Sequence, residues 1–221
     1  MHVVALLAQK GGVGKTTLAV SLAVQAELAG FRSGIVDADP QANAAGWFIN
    51  RQKKQKKESP VVASVNDPAK VHDAVSLARE EGFDWLFIDT PAGVQALPAT
   101  SAAVADLILI PCVPSGYNME ALAATVRLVK QVQKPGFFII NRGNRSKAIN
   151  DECALALTSA YGLPAVNTHV LQRQPIADGE LLGTALPEMP LKDSSADKGK
   201  DEFRALWSWL ASQFDGGKAH G

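Results

Sequence analysis

Short apolar runs alternate with stretches of helical spacing along most of this chain. Residues 2–8, 32–37, 85–89, 107–112 and 136–140 are largely apolar and have the length of strands. Such runs are typical of strands that are buried on both faces of a sheet. Their alternation with helices favours parallel pairing. We therefore predict an α/β fold in which helices cover both faces of a mostly parallel, twisted sheet.

Weaker signals complete the predicted element order. Two shorter runs, residues 61–65 and 166–170, are predicted as further strands. Helical patterns cover residues 18–29, 42–50, 67–81, 117–132, 148–161, 175–182 and 201–214, and residues 102–105 end a further helix of small residues. The 221 residues suffice for one domain, 1–215, which we expect to be followed by a flexible tail, 216–221.

Composition narrows the class of protein. The chain carries 22 Lys and Arg against 22 Asp and Glu, so any contact with DNA must come from a local basic patch. Cys112 and Cys153 lie far apart and the four histidines are scattered, which favours reduced, buried thiols and no zinc site. Since no apolar run is long enough to span a membrane and the N-terminus enters a strand directly, we expect a cytoplasmic protein without a signal peptide.

The stretch AQKGGVGKTT, residues 8–17, lies between the first predicted strand and the first predicted helix. A glycine-rich turn in this position directs backbone N–H groups into one concavity, and the helix N-terminus adds partial positive charge. This concavity suits a phosphate chain, with Lys15 against the β- and γ-phosphates and the Thr16 hydroxyl on Mg²⁺. The general motif G-x-x-x-x-G-K-[ST] is intact only at its end, Gly14 to Thr16, and a second lysine, Lys10, precedes the glycines.

KGGVGKTT resembles the deviant Walker A motif of the ParA/MinD family of P-loop ATPases. In that family the extra lysine reaches across a dimer interface to the partner's nucleotide. The resemblance implies that ATP is bound by Lys10, Gly11, Gly12, Val13, Gly14, Lys15, Thr16 and Thr17. It also implies catalytic roles for Lys10 and Lys15. The alternative is a glycine turn with two solvated lysines.

Acidic residues follow two of the predicted strands. Asp89 ends the strand 86–89, where a carboxylate can hold a Mg²⁺-bound water beside Thr16, although strand-end aspartates are also common as structural groups. Asp37 and Asp39 follow the second strand in a DxDPQ run that resembles the second acidic motif of the family. The resemblance implies that Asp39 orients the attacking water and that Asp37 supports the loop or the metal. The alternative is a helix cap at Asp39.

Asn141 and Arg142 follow the predicted strand 136–140. In the ParA/MinD family the residues at this point contact the adenine, and an asparagine can pair with its edge. The guanine-specific motif NKxD is absent, since the chain reads Asn-Arg-Gly-Asn at 141–144. The alternative is a loop residue that caps a turn.

The C-terminal region resembles small plasmid-partition ParA proteins at residues 172–174 and 194–200, and we expect no N-terminal helix-turn-helix segment. MinD-type relatives end in a membrane-seeking helix. The helix predicted at 201–214 has one apolar face but only Arg204 as a basic residue, which favours packing on the domain. Its apolar face consists of Phe203, Leu206, Trp207, Leu210 and Phe214.

The resemblance implies an ATPase with ATP and Mg²⁺ as ligands, an ATP-dependent homodimer, binding to non-specific DNA and stimulation by a ParB-type adaptor. Such a protein would associate with the nucleoid and position a plasmid or a cellular body. Two alternatives are a MinD-like membrane-cycling ATPase and a binding module that holds nucleotide without turnover. The candidate DNA contacts are Arg142, Arg145, Lys147 and Arg173, with Lys192, Lys198 and Lys200 nearer the C-terminus. The basic run 51–57 is either a rival DNA patch or a solvated helix end and loop.

Overall fold

The computed structural model describes residues 1–114, 119–173, 179, 181–190 and 194–215. Within these residues, seven strands form one sheet in the order β3-β2-β4-β1-β5-β6-β7. The strands are β1 His2–Leu6, β2 Ser33–Asp37, β3 Val61–Ser64, β4 Trp85–Asp89, β5 Leu107–Cys112, β6 Gly136–Gly143 and β7 Val170–Leu171. All described pairings are parallel, which confirms the predicted α/β class.

Helices connect the strands and cover the sheet. They are α1 Lys15–Leu28, α2 Asn43–Asn50, α3 Pro68–Glu80, α4 Ala96–Val104, α5 Met119–Val132, α6 Lys147–Tyr161 and α7 Ser194–Asp215. A π-helical turn, Arg51–Gln55, extends α2, and a short 3₁₀ helix covers Leu186–Glu188. The boundaries follow local chemistry. The Asp67 carboxylate accepts the Ala69 N–H at the start of α3, and Gly162 ends α6 in the left-handed region.

A separate apolar core lies on each face of the sheet. Val4 and Leu6 of β1 join the core formed with α1 and α7. Val3 and Ala5, which point the opposite way, join the core formed with α3 to α6. Burial on both faces explains why these strands are apolar throughout rather than alternating.

Helix α7 packs its apolar face onto the domain, as the sequence predicts. Phe203, Leu206 and Leu210 are fully buried. Near the amino edge of the sheet, the rings of Trp207 and Phe214 contact Trp85, with centroids 4.8 and 5.1 Å away. The apolar side chains that a membrane-seeking helix would offer to lipid are therefore used inside the protein.

Three sequence predictions need correction. The last strand is Val170–Leu171 rather than 166–170. Just before the predicted range, residue 165 makes an isolated bridge to Phe138 that does not continue as a strand. Helix α7 begins at Ser194, earlier than the predicted 201. The basic run 51–57 is not simply solvated, since Arg51 is only 3% exposed and forms an ion pair with Glu188.

Some predictions fall on residues outside the described ranges. These are the start of the helix at Tyr117, most of the helix predicted at 175–182, Lys192 and the tail 216–221.

Candidate nucleotide-binding site

The strand order brings the acidic residues and the glycine-rich loop to one edge of the sheet. β4 lies between β1 and β2, and Asp89 stands in register with Leu6 on one side and Asp37 on the other. Because all three strands run in parallel, their carboxyl ends meet where the loop after β1 begins. Both aspartates therefore lie on the same side of the loop, Asp89 in the strand next to β1 and Asp37 in the strand after that.

Glycines at two points give the loop its shape. Gly12 and Gly14 have φ angles of +75° and +87°, in the left-handed region that favours glycine. A Cβ atom on Gly14 would lie only 2.3 Å from the Nδ2 atom of Asn141. Gly14 also precedes α1, so no side chain caps the first turn of this helix, and its N–H groups remain available for an anion.

A cavity of about 740 Å³ opens over this loop and the start of α1, and we call it the phosphate cavity. Its lining comes from the loop, from the ends of several strands and from the chain that follows them. The described lining residues are Gly11, Gly12, Gly14, Lys15, Thr16, Thr17, Asp39, Pro40, Gln41, Asn43, Pro91, Ala92, Asn141, Arg142, Gln172 and Arg173.

Lys15 is the buried cation of the phosphate cavity, with 7% of its surface exposed. Burial lowers the pKa of its ammonium group, while the carboxylates of Asp89 and Asp39 act in the opposite direction. A buried ammonium group loses the hydration that stabilises its charge in water. A phosphate chain in the cavity would compensate for that loss.

Asp89 is fully buried, and neither of its carboxylate oxygens forms a hydrogen bond of standard geometry within the described residues. Burial raises its pKa to about 7, although the Thr16 hydroxyl and Lys15 lower it. Buried polar atoms without partners are costly and call for a ligand. Two carboxylate oxygens near a threonine hydroxyl are suitable ligands for Mg²⁺ or for its bound water, so the residues present fit the metal.

Asp37 and Asp39 differ in their surroundings. Asp37 is 2% exposed, and its two oxygens accept the N–H groups of Asp39 at 3.2 Å and Ala45 at 2.9 Å. Burial raises the pKa of Asp37, and these backbone hydrogen bonds oppose the shift. Asp39 lines the phosphate cavity, and its Oδ1 atom accepts the Gln41 N–H at 3.0 Å. Asp37 thus holds the segment that connects β2 to α2, whereas Asp39 faces the open phosphate cavity.

Asn141 and Arg142 hold the glycine-rich loop from β6. The Asn141 side chain is buried, and its Nδ2 atom donates to the Val13 carbonyl at 2.7 Å. Arg142 donates from Nη1 to the Gly12 carbonyl at 2.7 Å, although its side chain is exposed. Both residues line the phosphate cavity, but these donors serve the loop.

Lys10 lies on the other side of the loop from Lys15. It lines a second cavity of about 390 Å³, which we call the Lys10 cavity and which does not include Lys15. Its walls combine the loop with the end of β5 and with α5. The described lining residues are Ala8, Gln9, Lys10, Gly11, Gly12, Val13, Pro111, Cys112, Val113, Ala121, Leu122, Thr125, Arg142 and Gln172.

The candidate DNA contacts differ in their exposure to solvent. Arg145 is exposed before α6, and Lys147 is exposed at its start, where it pairs with Asp151 at 2.6 Å. Arg173 is different, because its side chain is only 8% exposed and forms an ion pair with Glu202 of α7. Arg173 also lines the phosphate cavity. Arg145 and Lys147 are therefore accessible, and Arg142 and Lys198 are exposed as well.

Two residues of the site, Thr125 and Asn43, were not predicted from the sequence. Thr125 of α5 accepts the Gln9 N–H, and Asn43 at the start of α2 lines the phosphate cavity. Asn43 lies two residues after the DxDPQ run, and this proximity to the acidic motif could have indicated that it belongs to the site. Thr125 lies 116 residues from Gln9 in the chain, and no local pattern marks it.

This arrangement is that of a P-loop nucleotide-binding domain, in which the start of a helix and a glycine-rich turn receive phosphate. Residues 4–182 match the family model described as the CobQ/CobB/MinD/ParA nucleotide binding domain. The chain belongs to this family.

Relatives within the family are named for partition and positioning. The chromosome-partitioning ATPase Soj of Thermus thermophilus is 29% identical over 154 residues, which cover 59% of this chain and 62% of Soj. The match thus spans less than two thirds of that relative. Maintenance of carboxysome distribution protein A of Halothiobacillus neapolitanus is 25% identical over 194 residues, covering 85% of this chain and 87% of that protein.

A solved structure shows the same fold. The septum site-determining protein MinD of Pyrococcus horikoshii, in complex with Mg-ADP, superposes with a TM-score of 0.72 at 20% identity. The superposition covers 100% of this chain and 99% of MinD. Among the described residues of the present chain, no helix has the length and apolar character needed to cross a membrane.

Proposed function

We propose that this chain is an ATPase that segregates or positions a cargo. It would bind Mg-ATP, pair with a second copy so that the nucleotides lie between the subunits, and attach to DNA without sequence preference. A ParB-type adaptor would then stimulate hydrolysis and release. The similarity to the chromosome-partitioning ATPase Soj and to maintenance of carboxysome distribution protein A supports this class of function.

The observation that carries the proposal is the division of the two loop lysines between two cavities. Lys15 is buried in the phosphate cavity, where it can serve the nucleotide of its own subunit. Lys10 is exposed and lines the Lys10 cavity, and it does not belong to the lining of the phosphate cavity. A second lysine is not needed to form the loop, and its position suits a nucleotide held by a second subunit.

The chemistry follows from the residues around the phosphate cavity. Lys15 and the N–H groups at the start of α1 would stabilise charge on the transferring phosphate, and Lys10 of the second subunit would add to this. Mg²⁺, when bound by Thr16 and Asp89 with support from Asp37, would neutralise further negative charge. Asp39, which faces the open cavity, would orient the attacking water.

DNA binding would depend on the dimer. The chain has no net charge, so a monomer offers only a small basic patch. Arg145 and Lys147 are two exposed candidates, and pairing of two subunits would double their number. Binding through phosphate contacts is independent of sequence and weakens steeply with salt.

Retention on random duplex DNA tests the proposal. We expect retention with ATP, little with ADP or without nucleotide, and a steep loss between about 50 and 200 mM salt. Equal retention in all three nucleotide states would contradict a nucleotide-controlled switch. Retention that does not respond to salt would contradict phosphate contacts as its basis.

A further inference from the structure

Helix α5 contacts the glycine-rich loop through a single buried hydroxyl group. Thr125 is 1% exposed, and its Oγ1 atom accepts the backbone N–H of Gln9 at 3.2 Å. The same hydroxyl donates to the Ala121 carbonyl, one turn earlier in α5, at 3.4 Å. The hydroxyl therefore both accepts and donates, and its orientation is fixed from two sides.

This contact lies at the point where the loop leaves the sheet. The Leu7 N–H still bonds to the Leu109 carbonyl in the manner of the strand ladder, at 3.0 Å. Two residues later, the Gln9 N–H is bound by Thr125 instead of by a neighbouring strand. The Gln9 N–H belongs to the Ala8–Gln9 peptide, so this hydrogen bond fixes the backbone one residue before Lys10.

A second contact holds the loop on the other side of Lys10. Arg142 donates to the Gly12 carbonyl at 2.7 Å. Between these two contacts lie Lys10 and Gly11, both exposed, and a Cβ atom on Gly11 would meet no atom within 4 Å. The short lysine-bearing segment is thus anchored at both ends and open in the middle.

We propose that Thr125 is a positioning residue for Lys10. Its hydroxyl fixes the Ala8–Gln9 peptide, one residue before Lys10, so that the lysine is directed along the Lys10 cavity toward the second subunit. Thr125, Ala121 and Leu122 line that cavity together with Lys10, which places α5 and the lysine side by side. The inference rests on the proposed function, in which Lys10 acts on the partner's nucleotide.

The test compares Thr125→Val, which keeps the branched shape but removes the hydroxyl, with Thr125→Ser, which keeps the hydroxyl. With a non-hydrolysable ATP analogue, we expect the dimer dissociation constant of Thr125→Val to rise about tenfold, in line with the loss of one buried hydrogen bond. Thr125→Ser should remain close to wild type. The affinity of the monomer for ADP should be unchanged in both variants, because Thr125 lines the Lys10 cavity and does not belong to the lining of the phosphate cavity.

Sedimentation velocity and calorimetry on the full chain, with Lys10→Ala alongside, separate the outcomes. A dimer of Thr125→Val as tight as wild type, while Lys10→Ala loses dimerisation, would overturn the role of Thr125 alone. Parallel losses of ADP binding and dimerisation, or no rescue by Thr125→Ser, would identify a general structural role and also overturn it. If Lys10→Ala dimerises like wild type, the proposed function itself fails. Thr125→Ala provides a second variant without the hydroxyl if Thr125→Val melts early.

Discussion

Asp89 ends β4 with both carboxylate oxygens buried and, within the described part of the chain, without a hydrogen bond of standard geometry. Burial raises its pKa from 3.8 to about 7 when no metal is present. The folded chain therefore holds the Asp89 proton more tightly than the unfolded chain does. Between about pH 4 and pH 7 this group favours the unfolded state increasingly as the pH rises.

Asp89→Asn should remove this contribution. In the absence of Mg²⁺ and nucleotide, we expect the free energy of unfolding of the wild type to fall between pH 4.5 and pH 7.5 by about 1 kcal/mol or more relative to the variant. Urea unfolding at both pH values measures the difference, and titrations shared by the two proteins cancel. Equal pH dependence in both proteins would contradict the burial of an unpaired carboxylate.

Asp39→Ala should separate binding from hydrolysis. Asp39 faces the open phosphate cavity, so its loss should leave ATP binding and dimerisation intact but slow stimulated phosphate release by about 100-fold. The protein should then remain on DNA after ATP addition. Asp106→Asn, at a carboxylate that accepts the Val3 N–H beside β1, is a control outside the site. Normal turnover in Asp39→Ala would reassign the water-orienting role.

Individual side chains were predictable where the chemistry is local. Lys15, Thr16 and Asp89 follow from a motif or a strand end, and the parallel sheet brings them together. The adenine contact of Asn141 stays a prediction, and nothing in the sequence indicated that its amide donates to Val13, 128 residues away in the chain. Such a contact depends on how strands are ordered in the sheet, which no periodicity in the sequence records.

At the level of elements, α2 is fastened to the segment that precedes α7. The Trp47 indole N–H donates to the Thr184 carbonyl at 3.0 Å. Arg51 donates to the Gly183 carbonyl at 3.1 Å and forms an ion pair with Glu188, whose side chain is 8% exposed. Burial acts to raise the pKa of Glu188, but hydrogen bonds from Arg51 and Lys57 outweigh it and hold the pKa below its usual value.

Glu188→Ala should be strongly destabilising, because it leaves the buried Arg51 charge without its partner. We expect a loss of about 3–5 kcal/mol in the free energy of unfolding. Lys57→Ala, which removes the half-exposed partner of the same carboxylate, should cost about 1 kcal/mol or less. Urea unfolding of both variants checks the ranking. Equal losses would contradict the description of Arg51–Glu188 as the buried pair.

Element predictions succeeded where one face or both faces of an element are buried. The central strands are recognisable because burial on both faces demands apolar runs, and α7 because its apolar residues repeat at helical spacing. The burial of Arg51 within the run 51–57 was not predicted, because its partner Glu188 is 137 residues away in the chain. The two-residue strand β7 was misplaced because so short an element carries almost no pattern.

At the scale of the whole molecule, nucleic-acid binding should depend on where the basic residues lie rather than on total charge. Charge reversal at Arg145 and Lys147 should weaken retention on DNA by about tenfold or more at low salt. Reversal at Lys53 and Lys56, which are also exposed, changes the net charge equally and should have little effect. Filter retention with ATP measures both double variants. A larger loss in the second variant would assign the contact to the rival patch.

The central claim is that the two lysines of one loop serve two different subunits. Sedimentation of the wild type, Lys10→Ala and Lys15→Ala with a non-hydrolysable ATP analogue tests it most directly. We expect the wild type to dimerise with the analogue but not with ADP, Lys10→Ala to bind the analogue and remain monomeric, and Lys15→Ala to lose binding. A Lys10→Ala dimer as tight as that of the wild type would contradict the account.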